Sequence, residues 1–456
     1  MRARLVTALL FIGLLAGCSG GSERSETSQA LDPFGPPPTT PKGPLDPQLA
    51  ADLDAVFASL DAFPVSRAAL RRIGVSEDPR VAWLLSDLLR FEQTELLTRH
   101  MVESFERLTG VTLKDEDRGL GRAWNAVTDH LLAWELPAPP GYVDYKARLF
   151  TLVEPRWEPF FRDRDSEIDW RLISWGGVFI DDRPLGDPEP CERGCIPALD
   201  DPAVTNAAGG SWYPDDATVF GVVINGEARA YPKNIMEVHE LVNDTLGGRR
   251  IGLPYCTLCG SAQAYFTDTV GTRSIVLRTS GLLSRSNKVM YELTTKSVFD
   301  TFKGKALSGP LQGVSLPEIT VVTSTWGAWK AAHPKTTIVA RDGGIGETYP
   351  ADPLRGRDDG GPIFPIGDVD SRLPAQEQVV GVVTPEGVPV AFPAGVARLA
   401  LEDGKEVELE GVRLVLDGDG LRVVLDNGKP IVSHQAYWFA WSQFHEGTAL
   451  WAPPSD

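Results

Sequence analysis

The feature that most constrains the fold is a change of residue pattern near residue 166. From there to the C-terminus, short runs of β-branched and aromatic residues are separated by Gly, Pro, Asn and Asp. One such run, VFGVVI at 219–224, is followed by Asn225-Gly226. Because Asn-Gly between such runs is a strong signal for a β-hairpin, the pattern predicts a mainly β domain over residues 166–456.

Residues 48–165 have helical periodicity instead. One apolar stripe with helical spacing follows Pro79 and consists of Val81, Leu84, Leu85, Leu88 and Leu89. A second helix is predicted over 93–108, with Gly110 placed to end it. The chain is therefore predicted to be an α+β protein in which a small helical domain precedes the β domain.

The β half contains an internal similarity that predicts a duplicated module. The spacing Trp-x2-Trp-x3-His-x2-Thr occurs at 326–336 and again at 438–448, each time after a Gly-Val-Val run and a turn. The two units would span about 219–336 and 379–448. Chance similarity of two β-hairpins is the alternative. The second unit has no cysteine, so any thiol or metal chemistry is expected in the first.

The N-terminus predicts export and a lipid anchor. Two arginines precede an uncharged, mostly apolar run of 13 residues, which is shorter than the roughly 20 residues that cross a bilayer. The run ends in Leu-Ala-Gly before Cys18, and this pattern resembles the lipobox of bacterial lipoproteins. We predict a lipoprotein signal peptide over 1–18, acylation of Cys18 and a disordered Gly/Ser/Pro tether over 19–47. An ordinary signal peptide is the alternative.

Composition excludes nucleic acid as the main partner. The 62 acidic residues exceed the 44 basic ones, and no concentrated basic patch offsets the repulsion from phosphate. The predicted partner is a membrane, bound through the lipid, and no protein partner can be named. The predicted location is the extracytoplasmic cell envelope. Since Ser19, and not aspartate, follows Cys18, we expect the periplasmic face of the outer membrane where two membranes exist.

The motif Cys256-x-x-Cys259 has the clearest chemical potential. Two thiols at this spacing can bind one metal ion from a single turn or form a local disulfide. The residues that follow, Ser261 to Phe266, have the pattern of a strand. A thioredoxin-type site requires a helix at that place, so the motif leaves metal binding and thiol chemistry both open.

His239 is the third candidate metal ligand. It shares the apolar face of a predicted helix that begins after Pro232 and ends near Gly247. Together with Cys256 and Cys259 it would form a site for zinc or copper, since thiolates and imidazole suit both metals. A hydrogen bond from its ring to a backbone carbonyl is the alternative, and we favour it for a lone buried histidine.

Cys191 and Cys195 permit two interpretations. They could complete a four-cysteine zinc site with Cys256 and Cys259, although a CxxxC and a CxxC about 60 residues apart match such a site loosely. They could also form a small disulfide across a glycine-containing loop, which export permits. We predict the disulfide.

Several ordered motifs resemble the bacterial domain-of-unknown-function family 3179. The similarity covers about residues 190–336, with a further similar segment at 438–445. The motifs are Ile196-Pro197-Ala198-Leu199-Asp200-Asp201-Pro202, Ala230-Tyr231-Pro232, His239-Glu240-Leu241-Val242-Asn243-Asp244, Tyr255-Cys256-x-x-Cys259-Gly260, and Ser280-Gly281-Leu282-Leu283 followed by Met290-Tyr291. The family is common among exported proteins and has no assigned activity, so the resemblance implies an identity without a function.

The resemblance also marks a candidate ligand loop. Its candidate residues are Ser280, Asn287 and Tyr291. Ser284-Arg285, Glu292 and Phe299 differ from the family pattern, so a ligand would be bound differently here. Cys191 and Cys195 have no counterpart in that pattern, which implies a disulfide particular to this chain.

Two functions remain open. The first is a cell-envelope lipoprotein with a metal-binding or thiol/disulfide site at the CxxC motif. The second is a non-catalytic binding or structural lipoprotein whose cysteines form inert disulfides. A hydrolase is less favoured because neither Gly-x-Ser-x-Gly nor His-Glu-x-x-His is present. No catalytic or cofactor-binding residue is assigned, and whether the chain is an enzyme stays open.

Overall fold

The computed structural model describes residues 33–60, 65–271, 274–358 and 360–453. Within them, Pro36 onward belongs to one compact unit. The signal peptide, Cys18 and part of the tether lie outside the described residues, so they stay predictions. None of the helices in the described ranges combines the length and the apolar character needed to span a bilayer.

The N-terminal region is helical, as the apolar periodicity predicts. Its described helices are α1 (Pro47–Ala58), α2 (Arg67–Ile73), α3 (Ala82–Phe91), α4 (Glu95–Thr109), α5 (Ala123–Ala133), α6 (Tyr142–Val153) and α7 (Glu158–Arg162). Helix α3 follows a 3₁₀ turn that begins at Pro79, and Asp78 accepts a hydrogen bond from the backbone N–H of Arg80 there. Gly110 ends α4 in the left-handed conformation, with φ of 78°, which glycine adopts without strain.

The rest of the chain is mainly β. Its strands are β1 (Ile173–Trp175), β2 (Leu199–Asp200), β3 (Val204–Asn206), β4 (Thr218–Ile224), β5 (Glu227–Pro232), β6 (Leu241–Leu246), β7 (Arg249–Cys256), β8 (Ser261–Ala262), β9 (Ala264–Phe266), β10 (Leu277–Ser284), β11 (Asn287–Glu292), β12 (Val298–Asp300), β13 (Lys305–Ala306), β14 (Glu318–Ile319), β15 (Val322–Thr325), β16 (Thr337–Val339), β17 (Gln378–Val383), β18 (Pro389–Pro393), β19 (Glu408–Leu409), β20 (Val412–Asp417), β21 (Gly420–Leu425), β22 (Ser433–Tyr437) and β23 (Ala449–Leu450). The helices among them are α8 (Lys233–His239), α9 (Trp326–Ala332), α10 (Ala394–Glu402) and α11 (Trp438–Phe444).

These strands form five sheets in the described part of the chain. The strand orders are β1-β10-β11-β12-β13, β14-β9-β7-β6-β2 with β8 also paired to β7, β15-β4-β5-β16-β3, β22-β17-β18-β23, and β19-β20-β21. Strands β7 and β11 therefore belong to different sheets.

Two of the sheets have matching strand pairings. In one, β4 and β5 form an antiparallel hairpin, β15 runs antiparallel to β4, and β16 runs parallel to β5. In the other, β17 and β18 form the hairpin, β22 runs antiparallel to β17, and β23 runs parallel to β18. A helix follows each hairpin, and another helix lies between the last two strands.

A buried tryptophan packs against a strand glycine in each of these sheets. Trp329 and Trp441 are 0% and 1% exposed. A Cβ atom at Gly221 would collide with the first indole ring, and one at Gly381 with the second. Each indole N–H donates to the hydroxyl of the threonine seven residues later, at 3.0 and 3.1 Å. Glycine is needed because the flat ring lies directly on the strand.

The CxxC turn lies against the second of these sheets. Cys256 and Cys259 belong to one apolar cluster with Val379, Ala436 and Trp441. The turn comes from the first half of the β region, while most of the apolar side chains in its cluster come from the second half. The location of the thiols therefore depends on packing between distant parts of the chain.

Gly381→Ala should destabilise the protein, because the new methyl group collides with a Trp441 ring that is fully buried. Overpacking of this kind costs about 1–3 kcal/mol, so the urea midpoint should fall. Gly395→Ala in α10 is the control, since no atom lies within 4 Å of its Cβ position. That change should leave stability unchanged or raise it by up to about 1 kcal/mol. Equal losses in both variants would contradict the packing argument.

Candidate functional site

The two thiols lie at the end of a strand. Cys256 is the last residue of β7, and Cys259 is the last residue of a 3₁₀ turn, Thr257–Cys259. Gly260 ends the turn with φ of 56°, and the strand predicted after Cys259 is observed as β8 and β9. Both thiols are free and buried.

The pKa values of the two thiols shift in opposite directions. Burial alone would raise the pKa of Cys256, but a hydrogen bond with Cys259, the backbone N–H of Lys288 and the charge of that lysine outweigh it, and the net shift is downward. Burial raises the pKa of Cys259, and the neighbouring Cys256 raises it further. The thiolate is therefore favoured at Cys256 and the neutral thiol at Cys259.

Lys288, which is buried, and Glu240, which is partly buried, form an ion pair beside the thiols. The ammonium of Lys288, on β11, donates to the backbone oxygen of Glu240 at 2.6 Å and to its carboxylate at 3.2 Å. Burial lowers the pKa of Lys288. The Thr257 hydroxyl, in the CxxC turn, donates to the other Glu240 carboxylate oxygen at 3.1 Å. The pair thus connects β11 to the turn.

Glu240, which supplies the carboxylate of this pair, has an unusual backbone conformation. Its φ of 51° is uncommon for a residue other than glycine. Hydrogen bonds hold this conformation: the Glu240 N–H donates to the Met236 oxygen at 2.7 Å, and the Tyr255 N–H donates to the Glu240 oxygen at 2.8 Å. The helix predicted to end near Gly247 therefore ends at His239, and the next residues form β6, which pairs with β7.

An apolar cavity, which we call the thiol chamber, adjoins the CxxC turn. Its volume is about 360 Å³, within the range of small-molecule sites, and Cys256, Lys288 and Glu240 form part of its wall. Its apolar wall includes Val178, Ile196, Leu282, Leu283, Ile363 and Phe364. Cys256 is only 2% exposed, and this chamber is a cavity that it borders.

His239 does not join the cysteines. Its Nδ1 lies 2.7 Å from the Pro197 backbone oxygen, and its Nε2 lies 2.6 Å from the Tyr349 hydroxyl. Burial lowers the pKa of His239, so the neutral ring is favoured. The alternative of a hydrogen bond to a backbone carbonyl is the arrangement observed, because the Pro197 and Tyr349 segments cover that face of α8. The predicted set of three metal ligands is not brought together.

Cys191 and Cys195 form the predicted disulfide, with their Cα atoms 5.5 Å apart. With Asp181 they are the one group of three neighbouring metal-type ligands that the described residues contain. Disulfide sulfurs are not the thiolates that zinc requires, so this group is not a zinc site in this state. The four-cysteine zinc site with Cys256 and Cys259 is not formed.

The three candidate loop residues do not share one site. The Ser280 hydroxyl donates to the Val289 backbone oxygen at 2.5 Å and borders the thiol chamber. Asn287 is buried and lines a separate, more polar cavity of about 320 Å³. The Tyr291 hydroxyl donates to the Asp181 backbone oxygen at 2.6 Å. Of the three, only Ser280 borders the chamber.

Sequence reasoning missed the ion pair beside the thiols. Glu240 and Lys288 are 48 positions apart; Glu240 lies between α8 and β6, and Lys288 lies on β11 of another sheet. One signal was available, since the charged Lys288 directly precedes the apolar run Val-Met-Tyr within a buried strand. A lysine in such a strand needs a partner.

The comparisons with known proteins add one match. A family model described as "Protein of unknown function (DUF3179)" matches residues 193–424. This range includes the CxxC turn and the Lys288–Glu240 pair, and it confirms the resemblance seen in the sequence motifs. No curated protein and no solved structure matches the chain.

Alkylation of Cys256 with iodoacetamide should report its lowered pKa. The reagent attacks thiolates, so the reaction rate should reach half its maximum at a lower pH than for a cysteine whose pKa is not shifted. Lys288→Met removes a positive charge and should raise that midpoint, whereas Glu240→Gln removes a negative charge and should lower it. Peptide mass spectrometry identifies the modified cysteine.

Lys305→Met is the matched control, because this lysine pairs with Glu167 on the surface and should leave the midpoint unchanged. Circular dichroism checks that each variant folds. Midpoints that move in the same direction in Lys288→Met and Glu240→Gln would contradict the electrostatic account.

Proposed function

The chain belongs to the DUF3179 family of proteins of unknown function, and we propose that it carries out thiol–disulfide exchange through Cys256 and Cys259. One observation carries the proposal: two free, adjacent thiols have opposite pKa shifts, and Cys256, the one whose pKa is lowered, borders an apolar cavity. A low pKa suits an attacking thiol, and a raised pKa suits one that stays protonated until it is needed. The chemistry does not require a helix at the CxxC motif, because Lys288 and the Cys259 thiol favour the Cys256 thiolate.

The exchange consists of two balanced steps. The Cys256 thiolate bonds to one sulfur of a disulfide, and the other sulfur leaves as a thiolate. That leaving thiolate accepts the Cys259 proton, and the Cys259 sulfur then attacks Cys256 and releases the second substrate sulfur. The products are a Cys256–Cys259 disulfide and two substrate thiols, once the second one is protonated by water.

Metal binding is the second candidate function. Two adjacent sulfurs suit Cu(I), which prefers soft ligands, better than zinc, which normally takes four protein ligands in a structural site. Among the described residues, the cysteine pair has no third His, Cys, Asp or Glu ligand within reach. This favours exchange over a zinc site. An inert structural disulfide is disfavoured because both thiols are free.

We also propose that the protein acts in the cell envelope, anchored through a lipid on Cys18. The lipobox-like residues and the Gly/Ser/Pro tether support this location. The Cys191–Cys195 disulfide is in keeping with an oxidising compartment.

A further part of the proposal is that the two matching sheets derive from one duplicated module. The shared strand pairings, the Trp329–Gly221 and Trp441–Gly381 contacts and the repeated indole–threonine bonds support it. The two copies would then have different roles. The first supplies the thiols, and Trp441 of the second helps to bury them.

Cys259→Ser should trap a mixed disulfide when the purified protein meets 2,2′-dithiodipyridine. Without a second thiol the variant should release one thiopyridone per chain, whereas the reduced CxxC pair of the wild type should release two. Cys256→Ser should react roughly 100-fold more slowly, because the remaining thiol has a raised pKa. Absorbance gives the stoichiometry, and intact mass identifies the adduct.

The Cys191→Ser/Cys195→Ser double variant is the control and should still release two thiopyridones. A wild type that reacts no faster than Cys256→Ser would refute the exchange. Near-stoichiometric zinc or copper that is lost in Cys259→Ser, without exchange, would assign the pair to metal handling.

Cys18→Ser should move the protein from the membrane fraction to the soluble fraction of the producing cells, because the acylated sulfur is lost. Labelling with palmitate measures the loss of the lipid, and cell fractionation measures the change of location. A variant that still fractionates with membranes would contradict the lipid anchor, and wild-type protein in the inner membrane would refute outer-membrane placement.

A further inference from the structure

The size of the thiol chamber limits the reactant. Its volume of about 360 Å³ holds a small molecule. Cys256 is 2% exposed and Cys259 is fully buried, so a disulfide on the surface of a folded protein does not reach either sulfur. The reactant must enter the chamber.

The apolar side chains of the chamber wall favour a reactant that is itself largely apolar. Leu282 and Leu283 of β10, Ile196, and Ile363 with Phe364 border the cavity on several sides. Burying apolar surface against these side chains contributes roughly 25 cal/mol per Å², whereas a polar group placed against them would lose its hydration without a replacement hydrogen bond from them.

Some charged groups on the chamber wall have an ion-pair partner among the described residues, and one does not. The carboxylates of Glu237 and Asp358 border the chamber, and both form ion pairs with Lys233, the second at 3.2 Å. Arg357 also borders the chamber, and it is exposed, which places it where the chamber meets solvent. Its Nε donates to the Leu354 backbone oxygen at 3.2 Å, and it makes no ion pair with any described residue. The chamber therefore has one guanidinium with no carboxylate partner among those residues.

We propose that the natural reactant is a small, largely apolar disulfide that carries a carboxylate, which Arg357 binds while the sulfur reaches Cys256. The inference rests on the proposed exchange and names the class of its substrate. Arginine suits this role because its planar guanidinium donates two parallel hydrogen bonds to a carboxylate. The apolar part fills the chamber, and the two thiols reduce the sulfur–sulfur bond as described above.

Two aromatic probes that differ in charge test the proposal. The anionic probe is 5,5′-dithiobis(2-nitrobenzoate), and the neutral one is 2,2′-dithiodipyridine. With the full chain, Arg357→Gln should lower the second-order rate constant for the anionic probe roughly 10-fold and change that for the neutral probe less than about 2-fold. Arg355→Gln is the matched control, since Arg355 is two residues away and does not border the chamber.

The outcomes separate this inference from the proposed exchange. A selective loss in Arg357→Gln, with Arg355→Gln like the wild type, supports the carboxylate site. Equal effects of the two variants would mean that the overall surface charge attracts the anionic probe, and would overturn the carboxylate site. Reaction of both probes at Cys256 with no effect of Arg357→Gln would also overturn it while leaving the exchange intact. Failure of both probes to react with Cys256 would refute the exchange itself.

Discussion

The burial of the CxxC turn against the second half of the β region is the interaction on which the proposed chemistry depends. The turn follows β7, and most of the apolar side chains that pack against it, among them Val379 and Trp441, come more than a hundred residues later. Burial removes water from the thiols, and in such surroundings a neighbouring charge acts more strongly. Lys288 and Glu240 can therefore influence Cys256 to a degree that the same charges on an exposed loop would not.

The thiol site combines a general device with features of its own. As in other dithiol sites, one sulfur favours the thiolate and its neighbour stays protonated. Here the charge comes from a lysine on a strand, and not from the start of a helix. The same lysine belongs to the wall of the chamber, so the group that lowers the pKa of Cys256 would also contact the proposed reactant. Reactivity and access are thereby linked through one side chain.

Much of the local structure could be predicted from the sequence, because helical periodicity, turn residues and cysteine spacing act over short distances. The helix that Gly110 ends, the strand after Cys259 and the disulfide of Cys191 with Cys195 all follow from such patterns. The composition of the site could not be predicted. A periodic pattern indicates that His239 is buried, but not which neighbours face its ring, and Glu240 meets Lys288 through the packing of two sheets.

The left-handed backbone of Glu240 also limits how this site can vary. Glycine, asparagine and aspartate are the residues that adopt such a conformation most readily, while β-branched residues strain it. Each of the three favoured residues would shorten the carboxylate or remove it, and so would move the balance of charge at Cys256. A substitution among these residues would therefore change the pKa of the Cys256 thiol without changing the backbone conformation at this position.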